Sequence, residues 1–151
     1  MTISLFDLLK IGIGPSSSHT VGPMKAALAF AEEMDGFGKT RQIARIRCRL
    51  FGSLGATGIG HGTVPAIIAG LEGQQPETVD PENIKPRMQE VKSTNRLKLL
   101  GRQDVYFDMA KDVLYQPETI LPHHPNGMDF TVWDADGAQL CHRVYYSIGG
   151  G

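Results

Sequence analysis

The chain has 151 residues, 41% of them hydrophobic, with 15 lysines and arginines against 16 aspartates and glutamates. That length suits one domain, residues 1–151, around a single core, and a formal charge of -1 provides no field to draw in nucleic acid or an acidic membrane surface. No apolar run approaches the ~20 residues that span a bilayer.

In chain order, MTISLFDLLKIGIG is apolar but carries Asp7 and lacks a basic leader and a cleavage pattern, so it reads poorly as a signal peptide. Ser4 with Asp7 resembles a capping box for a short helix from Leu5 to about Lys10, which Gly12 and Gly14 end. Next comes GPSSSHTVGP, and from Val21 the residues Met24, Ala27, Leu28, Ala31 and Met34 recur at helical spacing, with Pro23 tolerated in the first turn. DGFGK is a turn. In ARIRCRLF, Ala44, Ile46, Cys48 and Leu50 alternate with Arg45, Arg47 and Arg49, which predicts a strand with one buried and one wet face. The three arginines read as a solvated sheet face or an interface, since aromatic interleaving for nucleic acid is absent along the strand.

GSLGATGIGHGT is a glycine-rich connection, followed by a second helix from Val64 to Leu71. Asp80 before Pro81 marks the start of a third helix reaching the region of Lys92. DVYFDMA and DVLYQP are short strand segments, LPHHPNG is a loop, and MDFTVWDADGAQLCHRVYYSI is two strands joined at ADG. The sum is an α+β fold, with helices packed on a partly antiparallel mixed sheet. His142 shares a strand face with Val144 and Tyr146 and reads as structural. Cys48 and Cys141 lie in strands. They suit a reduced, cytoplasmic chain, and two cysteines cannot hold an iron-sulfur cluster or an all-cysteine zinc site by themselves.

Two helix starts share a pattern. His19 precedes Pro23, and His61 precedes Pro65, by four residues, each just before a helix whose unpaired N–H groups and partial positive charge favour an anion. The same potential disfavours imidazolium, so a histidine there stays neutral and can accept a proton. A cap needs one hydroxyl, yet the first loop offers Ser16, Ser17, Ser18 and Thr20, and the second adds Thr63. His123, His124 and Asn126 sit on a proline-rich loop that is either a plain turn or a binding loop.

KIGIGPSSSHTVGPMKAA, GSLGATGIGHGT, LPHHPNGMDF and YYSIGGG together resemble the N-terminal, or β, domain of bacterial iron-sulfur L-serine dehydratases. The resemblance implies deamination of L-serine to pyruvate and ammonia with a 4Fe-4S cluster acting as a Lewis acid. It implies that the cluster cysteines belong to an α domain absent from this chain, so that the chain alone binds no cluster and does not turn over serine. It also implies that Ser16, Ser17, Ser18, His19, Thr20, Gly62, Thr63, His124 and Asn126 bind substrate and that His61 is the base. The family's β domain is similar to the allosteric-substrate-binding domain of long phosphoglycerate dehydrogenases, and its enzymes are expected in the cytoplasm as homodimers. The alternative is a non-catalytic regulatory domain that binds serine or a small anion.

Overall fold

A computed structural model describes residues 19–57, 62–122 and 126–147. The helix expected between Leu5 and Lys10 lies outside them. Helix α1 is Val21–Gly36, followed by the strand β1, Arg45–Phe51, and a short helix α2, Gly52–Thr57. Helix α3 is Thr63–Leu71 and α4 is Pro81–Thr94. Strands β2 Arg96–Leu99, β3 Gln103–Tyr106, β4 Val113–Gln116, β5 Gly127–Trp133 and β6 Gln139–Tyr146 complete the order.

The fold is α+β, with helices on a mixed sheet, as the alternation of patterns predicts. Central β1 pairs in parallel with β3 at one end and with β4 at the other, and antiparallel with β5, which pairs antiparallel with β6. β2 and β3 form an antiparallel hairpin at the opposite edge. Register explains the core. Ile46, Cys48 and Leu50 lie opposite Val132, Phe130 and Met128, and all six are fully buried. Helix α1 sets Phe30 on Phe130, with ring centroids 5.0 Å apart. Truncating a buried ring of this kind costs about 3–5 kcal/mol.

α3 is apolar almost all round, and buries every residue except Pro65. It can do so because it is clamped between other elements. At Gly70 an added Cβ would lie 2.3 Å from the Met24 carbonyl oxygen and 2.9 Å from Ala27 Cβ, so only glycine lets α3 approach α1 this closely. α4 is the opposite case, with Val91 its one buried residue. Its start follows the sequence signal: Asp80 accepts a hydrogen bond from the Glu82 backbone N–H at 3.0 Å, with Pro81 in the first turn. At its end, Asn95 takes the left-handed conformation.

Two local expectations are corrected. The start of the glycine-rich stretch is helix α2, and Gly55 is needed because a Cβ there would meet the Leu50 carbonyl at 2.6 Å and the Pro117 backbone nitrogen at 2.8 Å. Strand β2 had no sequence counterpart. Its hairpin turns on Leu100 and Gly101, both at positive φ, with Arg102 N–H donating to the Leu99 carbonyl at 3.0 Å. Three residues, Leu100, Gly101 and Arg102, thus separate the paired Leu99 and Gln103.

The second sheet face is wet but not unstructured. Arg45 donates to the buried Asp112 carboxylate through Nε at 3.0 Å and Nη2 at 2.5 Å. Arg47 stacks 5.0 Å from the Trp133 ring, and Arg45 lies 5.8 Å from Tyr106 and 5.6 Å from Trp133. The aromatic neighbours missing along β1 are supplied by adjacent strands.

Candidate active site

The site begins at the carboxyl end of β1. There the chain passes from Phe51 through Gly52 to Ser53 in the first turn of α2. The antiparallel register places Met128 opposite Leu50, so Asn126, just before β5, stands at this same end of the sheet. Asn126 is buried, and its carbonyl accepts the Ser147 backbone N–H at 2.9 Å.

The starts of α1 and α3 meet beside this edge. Thr63, fully buried, donates its Oγ1 hydroxyl to the His19 carbonyl at 2.5 Å. The two helix starts are therefore tied side by side, and the Gly70 contact holds the bodies of the same helices together. Their positive ends add at one place, since both helices begin there.

The described threonine hydroxyls do not serve as caps. Thr20 is the N-cap of α1 but makes no side-chain capping bond, and Gly62 caps α3 with no side-chain bond. Thr20 Oγ1 is buried with no hydrogen-bond partner among the described residues. A buried hydroxyl without a partner costs free energy, ~1–3 kcal/mol, which a ligand group placed against it would offset. Neither described threonine, Thr20 or Thr63, uses its hydroxyl to cap its helix.

His19 Nε2 lies 2.9 Å from Ser53 Oγ. This bond joins the loop before α1 to the end of β1, across 34 residues of sequence. Ser53 was not a candidate from the sequence; its only signal is its place directly after a strand, at the head of a glycine-rich stretch.

Of the sequence-predicted site residues, the structure thus brings His19, Thr20, Gly62 and Thr63 together and puts Asn126 at the same end of the sheet. Ser16, Ser17, Ser18, His61 and His124 lie outside the described residues. A separate cleft of about 480 Å³ between α3 and α4, lined by Ile68, Glu72, Val79, Ile84 and Arg87, contains none of these candidates. Its charges are internally matched: Arg87 donates to Glu72 at 2.9 and 2.6 Å, and Glu72 also accepts the Lys98 backbone N–H.

The chain's own thiols do not suit an iron-sulfur cluster. Cys48 and Cys141 are both free and buried, and burial, with the Asp129 charge second, pushes the Cys48 thiol far above its ordinary value. A cluster ligand must be a thiolate. Among the described residues no group of three or more histidine, cysteine or acidic side chains is placed to hold a metal.

A second polar cluster lies on the wet sheet face. Asp129, 2% exposed, is gripped by Arg49 through Nε and Nη2 and by His142 Nε2 at 2.8 Å. The guanidinium of Arg49 is pushed above its ordinary value, first by that hydrogen bonding. His142 is thus structural, as its strand position suggests.

A model of the family described as serine dehydratase beta chain matches residues 4–151. The chain belongs to that family. It is 48% identical, over its full length, to an L-serine dehydratase of Streptomyces coelicolor, of which it covers 33%. To an L-serine dehydratase of Mycobacterium tuberculosis it is 47% identical over its full length, covering 32% of that protein. To the L-serine dehydratase TdcG of Escherichia coli it is 44% identical over 99% of the chain, covering 33% of that protein. The chain spans about a third of the length of the curated relatives it matches. No helix among the described residues is long and apolar enough to cross a membrane.

Proposed function

We propose that this serine dehydratase beta chain is the substrate-gripping part of an enzyme that converts L-serine to pyruvate and ammonia, completed by a cluster-bearing α domain. Elimination of water from L-serine gives 2-aminoacrylate, which tautomerises to the imine, and addition of water to the imine releases ammonia and leaves pyruvate. The enzyme works in the cytoplasm as a homodimer, and its 4Fe-4S cluster is bound by residues outside this chain.

The observation that carries the reading is the pair of helix starts joined by the Thr63 to His19 bond, with the Thr20 hydroxyl buried and not capping. Serine presents a carboxylate, which paired helix N-termini stabilise, and hydroxyl donors around it fix its orientation. In this assignment Ser16, Ser17, Ser18, His19, Thr20, Gly62, Thr63, His124 and Asn126 bind the substrate. His61, which precedes Gly62 and α3 in the sequence, takes the α-proton, the neutral imidazole being the form a helix N-terminus favours. Departure of the β-hydroxyl is handled by the part of the enzyme outside this chain.

The test is His61→Ala in the complete enzyme. Loss of a general base lowers the rate by about 10²–10⁴-fold, and the iron content stays unchanged because the cluster ligands lie elsewhere. A near-normal rate of pyruvate formation removes His61 as the base.

A further inference from the structure

We infer that Ser53 is a positioning residue for His19, setting the orientation and tautomer in which that ring meets the substrate; the inference rests on the assignment of His19 to the serine site. The hydrogen bond between His19 Nε2 and Ser53 Oγ, 2.9 Å long, is the starting point. A neutral imidazole has one donor and one acceptor nitrogen, and the partner of one nitrogen determines the role of the other. A serine hydroxyl can turn to donate or accept. It therefore keeps the same contact when the ring gains or loses a proton, which a carboxylate or a carbonyl cannot do without favouring one state.

The placement of Ser53 is rigid. It follows β1 directly in the first turn of α2, and α2 is pressed against the end of β4 so closely that Gly55 tolerates no Cβ. The ring is thereby anchored at its edge by α2, while the backbone of His19 is anchored at its carbonyl by Thr63. Two anchors from different elements fix one side chain, which is how a reacting group is held within the narrow tolerance that rate requires.

The test has two readouts. In the chain labelled with ¹⁵N-histidine, the His19 signals are assigned by their loss in His19→Gln, and their tautomer and titration are followed by NMR. Ser53→Ala is expected to change the Nδ1 and Nε2 shifts and the titration midpoint of His19, and Ser53→Thr to restore both. In the complete enzyme Ser53→Ala is expected to lower kcat by about tenfold or more and alter its pH profile, with Ser53→Thr close to wild type. Should Ser53→Ala fail to fold, Ser53→Cys keeps the shape and weakens the hydrogen bond, and the same changes are expected. His19 signals and a kcat pH profile indistinguishable from wild type in these variants would overturn the inference. A full rate in His19→Gln would instead remove His19 from the serine site, and is separable because the NMR arm reads the Ser53 bond without turnover.

Discussion

His19 and His142, the two histidines among the described residues, each offer Nε2 to a neighbour: 2.9 Å to the Ser53 hydroxyl in one case, 2.8 Å to the Asp129 carboxylate in the other. The Asp129 carboxylate is already held by Arg49 and is 2% exposed, so His142 completes a fixed hydrogen-bonded cluster. Ser53 carries no charge and can reverse its hydrogen bond. The first arrangement sets a ring against a neutral partner that can donate or accept, beside two helix starts. The second consumes a ring in satisfying a buried charge, and contributes to the sheet alone.

The largest expected effect falls on the structural side of this contrast. Arg49→Met leaves the buried Asp129 carboxylate with only a half-exposed His142 as partner, and breaking a buried pair in this way costs about 3–5 kcal/mol, to be read by urea unfolding. A loss near zero would mean that Asp129 reaches water and that the cluster is not the fixed one described. Next is Gly70→Ala, which drives a methyl into the Met24 carbonyl and pushes α3 off α1. Overpacking of this kind costs about 1–3 kcal/mol. In thermal unfolding it should contrast with Gly36→Ala, where nothing lies within 4 Å of the added Cβ.

Thr63→Val removes the hydroxyl that ties the helix starts and should cost ~1 kcal/mol, with Thr63→Ser close to wild type. In the complete enzyme the valine variant should lose more activity than its stability change accounts for; equal activity would separate the tie from the site. The smallest effect is expected for His142→Gln. Its ring is 39% exposed and Arg49 still grips Asp129, so stability should change by less than ~1 kcal/mol and serine turnover not at all.

Much of this contrast was legible in the sequence. The alternation of ARIRCRLF, the apolar period of α1 and the Asp80–Pro81 helix start each report local physics that the fold respects. The hairpin β5–β6 is equally plain, because Asp134 Oδ1 accepts the Asp136 and Ala138 backbone N–H groups and Gly137 takes positive φ, all in or beside the ADG turn. β2 was not legible: four residues alternating Arg96, Leu97, Lys98, Leu99 are too short to set a period, and its turn places a leucine at positive φ. α2 was hidden because its glycines looked like loop freedom, whereas Gly55 is required by close packing. At the site, the helix-start chemistry of His19 and Thr63 is local and readable. Ser53 and Asp129 are not, since each acquires its meaning from a partner brought by tertiary structure, 34 residues away for Ser53 and 80 for the Arg49 to Asp129 pair.

The central claim is that two helix starts act on one substrate. A double-mutant cycle of His19→Gln and His61→Ala, read as kcat/KM for pyruvate formation from L-serine by the complete, anaerobically reconstituted enzyme, tests it most directly. Residues acting as a unit are strongly non-additive, so the double variant should be little slower than the worse single one. Two large losses that simply add in free energy would place the two histidines in independent roles and contradict the shared site.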